Sequence, residues 1–151
     1  MTKAKRQNHM RVTFDSKSVN ENFARTAAAG FLAALDPTLA ELTDVKTAVS
    51  EAVTNCIVHA YRDSPGEIIL DMSVYEGGLV RLAVIDHGCG IADVRQAMQP
   101  LFTTGDPGER SGLGFSVMES FMDTLRVMSH SGRGTRVTMT KRIFSKTGRP
   151  T

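Results

Sequence analysis

The order of elements along the chain predicts an α/β two-layer sandwich, one mostly antiparallel mixed sheet with helices on one face. Three observations predict it. Two apolar-periodic helical stretches follow a short first strand, a hairpin of two aliphatic strands comes next, and a helix with a second strand pair follows a long connection rich in glycine and proline.

Each element has its own signal. Met10 to Phe14 alternates well enough for a short strand, and Ser16 or Ser18 can cap the helix that follows. Val19, Phe23, Ala27, Gly30, Phe31 and Leu35 recur at helical spacing until Asp36-Pro37 stops the run. The second helix is expected from Thr38 to about Tyr61, burying a stripe of Leu39, Leu42, Val45, Val49, Ala52, Val53, Cys56 and Ile57. Ser64-Pro65-Gly66 is a turn, Ile68 to Val74 a strand, Glu76-Gly77-Gly78 a second turn, and Leu79 to Ile85 the returning strand. This hairpin delivers Asp86 to its end. From His87 to Ser111 the chain is rich in Gly, Pro, Asp and Thr, with a short helix expected near Ala92 to Met98. Helical periodicity resumes from Gly112 to Thr124. Two closing strands, about Thr124 to Ser129 and Thr135 to Thr140, turn at Gly132-Arg133-Gly134.

Composition narrows the function. At 151 residues the chain is one ordinary domain, expected over residues 10–142 with basic, disordered tails at 1–9 and 143–151. No apolar run is long enough for a membrane span and the basic start lacks the apolar core of a signal peptide, so a cytoplasmic address is expected. Cys56 and Cys89 have no partners at metal spacing and read as reduced packing residues. The net charge of +2 conceals a split: no acid precedes Asp15 or follows Asp123, and residues 13–140 carry 10 basic against 16 acidic side chains. An acidic body with basic ends suits a basic protein partner better than direct nucleic-acid binding.

Three short stretches carry chemistry. Glu51 and Asn55 stand four apart in the second helix, which stacks a carboxylate and an amide on one face about 5–6 Å apart. Asn55 is a poor helix former there, and its carbonyl oxygen suits Mg²⁺, a cation that takes few protein ligands and keeps its waters. Glu51 can accept a proton from a nucleophile attacking a γ-phosphate; taken alone it is equally a solvated residue beside Lys46 or Arg62. Asp86 ends the run Leu82-Ala83-Val84-Ile85 in partly dry surroundings that demand a donor, which the amine of adenine would supply. Gly88 and Gly90 follow and let backbone approach a flat ligand, although Asp-x-Gly by itself also begins a tight turn. Pro100 to Phe115 reads as a hinged lid, or a plain mobile loop, running into a helix start at Gly112-Leu113-Gly114. Arg110 is its strong cation, placed to neutralise a phosphoryl group. No Gly-Lys-Ser/Thr follows, so this is not a Walker loop.

Taken in order, Glu51-x-x-x-Asn55, Asp86-x-Gly88-x-Gly90, Pro100-Leu101-Phe102-Thr103-Thr104, Gly112-x-Gly114 and Gly134-Thr135 resemble the GHKL ATPase and kinase superfamily with its left-handed ATP-binding (Bergerat) sandwich. Glu21 to Arg25, Leu35 to Thr38, Ser50 to Asn55 and Glu109 to Phe115 further resemble the sporulation anti-sigma F factors, serine kinases of spore-forming bacteria, over about residues 10–142. The resemblance implies Mg²⁺ on Asn55, Glu51 as general base, and Asp86 reading adenine. It also implies Gly88, Gly90, Thr104, Gly112 and Gly114 around ATP, Arg110 on the γ-phosphate, and Arg25 on the sigma factor. A homodimer that holds sigma factor F and phosphorylates a serine of the anti-anti-sigma factor is the implied assembly. The general stress-response anti-sigma kinases are near neighbours. A water-activating ATPase module of the topoisomerase, Hsp90 or mismatch-repair kind is the alternative, disfavoured by the roughly ten residues that follow the last strand. A histidine-kinase catalytic domain lacks here a preceding helical pair with a phosphorylated histidine.

Overall fold

The computed structural model describes residues 4–99 and 113–144. Strand β1 (Arg6–Asp15) leads into helix α1 (Val19–Leu32), which tightens into a 3₁₀ turn at Ala33–Leu35. Helix α2 (Leu39–Asn55) follows and ends in a π turn, Cys56–Ala60. Strands β2 (Glu67–Tyr75) and β3 (Leu79–Asp86) form the hairpin. A four-residue helix α3 (Val94–Ala97), helix α4 (Phe115–Phe121) and strands β4 (Thr124–His130) and β5 (Gly134–Arg142) complete the order. The strands line up β1-β2-β3-β5-β4. Every pairing is antiparallel, so the sheet is not mixed: β2–β3 and β4–β5 are hairpins, and β1 on β2 and β5 on β3 also run antiparallel.

Alternation explains which face is covered. Ile68, Leu70, Met72 and Val74 on β2, Val80, Leu82 and Val84 on β3, and Val137 and Met139 on β5 are buried beneath the helices. The opposite face carries Arg11, Arg81, Arg126 and Arg136, all exposed. Helix α2 supplies the other half of the core through Val45, Ala48, Val49, Ala52, Val53 and Cys56. Its start is fixed by a capping box, in which Thr38 and Glu41 each accept the other's backbone N–H. The second Glu41 oxygen accepts the Phe144 N–H at 2.7 Å, and Lys141 pairs with Asp44 at 3.3 Å, so the end of β5 is tied to α2. Among the described residues no helix is long and apolar enough to cross a membrane.

Four expectations are corrected. β1 begins at Arg6, so residues 6–9 of the expected tail belong to the sheet; they are exposed and polar, and only their pairing with β2, with His9 on Asp71 at 3.1 Å, reveals the strand. At the other end Ile143 is buried against the core. The buried face of α1 is Ala24, Ala28 and Leu32, not the Val19–Phe23 stripe, because small residues let α1 lie close on α2. Val19 is 71% exposed, and Phe23 sits half out, edge-on to Phe14 with ring centroids 5.8 Å apart. Leu39 is 79% exposed because it occupies the first turn of α2, outside the contact.

Candidate functional site

The site forms where the end of α2 crosses the end of β3. The π turn after Asn55 shifts the backbone of α2 by one residue: the Tyr61 N–H donates to the Cys56 carbonyl at 3.0 Å. The carbonyl of Ala60 then accepts the Cys89 N–H at 3.1 Å, holding the loop after β3 under the helix end. Tyr61 adds a second tie, its hydroxyl accepting the His87 N–H at 2.7 Å and donating to the Glu67 carbonyl at 2.6 Å. Burial raises its pKa, and the His87 bond works against that shift.

Asp86 is the last residue of β3 and only 5% exposed. Its Oδ1 accepts the Gly88 N–H at 2.9 Å and its Oδ2 faces the Cys56 thiol at 3.5 Å. Burial first, and then the Asp86 charge, push the Cys56 thiol well above its usual pKa. Across the sheet Asp86 stands beside Thr135, whose hydroxyl meets that of Ser129 at 2.8 Å, and the same Ser129 oxygen accepts the Ile91 N–H at 2.7 Å. A cleft opens among Asn55, Cys56, His59, Asp86, Ile91 and Thr135.

The glycines of this region serve the chain's own crossings. A Cβ on Gly88 would stand 2.3 Å from the Ala60 carbonyl oxygen. One on Gly90, where φ is +75°, would stand 2.2 Å from that of His130. Both therefore have a packing reason besides the ligand approach expected from sequence.

At the other end of the cleft, Asn55 donates from Nδ2 to the Leu113 carbonyl, which fixes the orientation of the amide. Its Oδ1 is buried and has no hydrogen-bond partner among the described residues. That bare acceptor, beside a cleft, fits a small hard cation that takes few protein ligands. One turn earlier, Glu51 packs against Gly114, the residue that caps α4 at φ +61°; a Cβ there would lie 2.3 Å from Glu51 Oε2. Glu51 opens into a shallow groove between α1 and α2 that it shares with Arg25, Lys46 and Ser50. In that groove Glu21 accepts the Ser50 hydroxyl and pairs with Arg25 at 3.3 Å.

The structure thus brings Asn55, Asp86 and Gly90 to one cleft, packs Gly88, in the loop after β3, against Ala60, and places Glu51 with Arg25 in a groove, the Glu51 carboxylate lying against Gly114. Thr104, Arg110 and Gly112 lie outside the described residues. Sequence reasoning assigned no chemistry to Cys56 and no role to Thr135. The one signal for Cys56 was its place on the buried stripe of α2, which points at the end of β3.

Residues 12–141 match the family model of the histidine kinase-like ATPase domain. The chain is 55% identical over 138 residues to the anti-sigma F factor of Thermoanaerobacter sp. (strain X514), covering 91% of this chain and 96% of that protein. It is 50% identical over 137 residues to the anti-sigma F factor of Geobacillus thermodenitrificans (strain NG80-2), covering 91% and 94%. Among solved structures, the RsbU and RsbW domains of Rv1364c from Mycobacterium tuberculosis share the fold, with a TM-score of 0.68 at 24% identity over 96% of this chain; the chain spans 35% of that one. The histidine kinase domain of the blue-light activated kinase from Erythrobacter litoralis EL346 shares it with a TM-score of 0.53 at 22% identity over 69% of this chain and 45% of its own. A helix-covered antiparallel sheet with a cleft at the end of α2, a matching ATPase domain and relatives alike over nine-tenths of the chain agree, and the chain belongs to the anti-sigma F factor family of histidine kinase-like ATPase domains.

Proposed function

We propose that this chain is an ATP-dependent protein serine kinase and anti-sigma factor, which as a cytoplasmic homodimer holds the sporulation sigma factor F and phosphorylates a serine of its anti-anti-sigma factor. The name carried by relatives at 50–55% identity supports the sigma-factor half. The kinase half is carried by one observation: the buried Oδ1 of Asn55, without a partner among the described residues, lies one helical turn from the Glu51 carboxylate, beside a cleft lined by Asp86.

In this reading Asp86 accepts the exocyclic amine of adenine, an acceptor matched to a donor. Asn55 would hold Mg²⁺ through Oδ1; when bound, the ion neutralises charge on the phosphates. The family resemblance assigns Gly88, Gly90, Thr104, Gly112 and Gly114 to the nucleotide and Arg110 to the γ-phosphate; of these, Gly90 lines the cleft. Glu51 takes the proton of the incoming serine hydroxyl as its oxygen bonds to the γ-phosphorus and the bond to the β-phosphate oxygen breaks, releasing ADP. The position of Glu51 in the groove with Arg25 supports a macromolecular nucleophile, since a partner lying along that groove reaches the carboxylate without entering the base end of the cleft. Arg25, held by Glu21 and Asn22, is the proposed contact to the sigma factor.

Incubation with γ-labelled ATP, Mg²⁺ and the anti-anti-sigma protein tests the reading. Label on a serine of the partner is the expected result. Label released only as inorganic phosphate would make the protein an ATPase module instead, and no loss of label from ATP would make it a nucleotide-binding module without chemistry.

A further inference from the structure

The nucleotide reading leaves the buried Cys56 thiol unused. Its sulfur lies 3.5 Å from Asp86 Oδ2 and 3.4 Å from the Ala52 carbonyl oxygen, within reach of two acceptors with a single proton to give. An ionised carboxylate is the stronger acceptor of the two. Asp86 Oδ1 is already engaged by the Gly88 N–H at 2.9 Å. The two donors sit on different oxygens, one from the loop and one from the helix, and together they fix the plane of a carboxylate that would otherwise turn about its last bond.

We infer that Cys56 is a positioning residue for base selection: its thiol orients the Asp86 carboxylate so that its remaining lone pairs face the cleft and demand a donor from the base. A purine bearing an exocyclic amine satisfies that demand; one with hydrogen there leaves a buried acceptor unpaired. Cys56 thus sharpens selection through Asp86 without touching the base. This inference rests on the reading of Asp86 as the residue that accepts the base amine.

The test compares binding of ATP with that of purine riboside triphosphate, which lacks the amine, by titration calorimetry with wild type, Cys56→Ala and Cys56→Ser. Wild type is expected to favour ATP by tenfold or more, on the order of one hydrogen bond to a charged group. Cys56→Ala should lose about fivefold in ATP affinity and little for the amine-free analogue, narrowing the preference. Cys56→Ser, which keeps a donor at that place, should retain most of it. Cys56→Ala weakening both ligands equally, or Cys56→Ser narrowing the preference as much as Cys56→Ala does, would show the side chain to be packing alone and overturn the inference. An unchanged preference in Cys56→Ala overturns it too. Wild type binding both ligands equally would instead remove the underlying reading of Asp86. Thermal melts of each variant separate these results from loss of fold.

Discussion

At the β3 end of the cleft Asp86 has a donor on each carboxylate oxygen, from Gly88 and from Cys56, whereas at the α2 end Asn55 has its amide nitrogen bonded to Leu113 and its oxygen without a partner among the described residues. Both side chains come from regular elements packed into the same core, so the difference does not arise from one being loosely held. A buried carboxylate without donors would be costly, and this chain supplies them itself. A buried amide oxygen without a donor costs about 1–3 kcal/mol, and here the described residues leave it so. The more finished end is the one where the chain's own donors fix the Asp86 carboxylate, and the less finished is the one where the described residues leave the Asn55 oxygen open. That asymmetry is what a nucleotide with a flat base and a charged triphosphate requires.

Substitutions at the two ends should therefore fail differently. The largest effect is expected from Glu51→Gln, beside the unfinished end: phosphate transfer to the partner serine should fall by about 10²–10⁴-fold while ATP affinity barely moves, as rates set against binding titrations will show. Asp86→Asn, at the finished end, should do the reverse. It exchanges a charged acceptor for an amide that must also place two N–H groups, and ATP affinity should fall about 10- to 100-fold, read by calorimetry. If each variant lost binding and transfer together, the two ends would not be separable. Smallest is Gly114→Ala, which forces a Cβ into a left-handed backbone and against Glu51 Oε2. A loss of about 1–2 kcal/mol in unfolding free energy is expected from the backbone alone, with a drop in transfer as Glu51 is displaced. An unchanged melt and unchanged transfer would show that α4 starts without that contact.

The same contrast runs through what the sequence revealed. The hairpin that carries Asp86 was plain in the aliphatic runs on either side of Glu76-Gly77-Gly78, because a strand buried beneath helices leaves a dense apolar signal. The stop at Asp36-Pro37 was equally plain, and Asp36 is the one non-glycine residue with positive φ among those described. Helix α2 was legible from its stripe, and its end near Tyr61 with it, but its last turn was not: the π geometry at Cys56–Ala60 has no composition of its own, and it places the Ala60 carbonyl on the loop after β3. Helix α1 was placed correctly and turned wrongly, since alanines at a close helix contact bury as completely as larger residues yet weigh less in a hydrophobic pattern. Of the site, the spacing of Glu51 and Asn55 predicted a shared helix face, and the chain of aliphatics predicted a dry end for Asp86. The bonds that distinguish their environments, from Cys56 to Asp86 and from Asn55 to Leu113, join residues 30 and 58 positions apart and could appear only once the chain was folded.

Titration of adenosine and of ATP, each with and without Mg²⁺, tests the asymmetry most directly. Adenosine engages only the finished end, so its affinity should be the same in both conditions. With Asn55 holding the metal beside the triphosphate, as proposed, ATP affinity should rise about tenfold or more when Mg²⁺ is present. A metal effect that is absent for ATP, or equal for both ligands, would contradict the account.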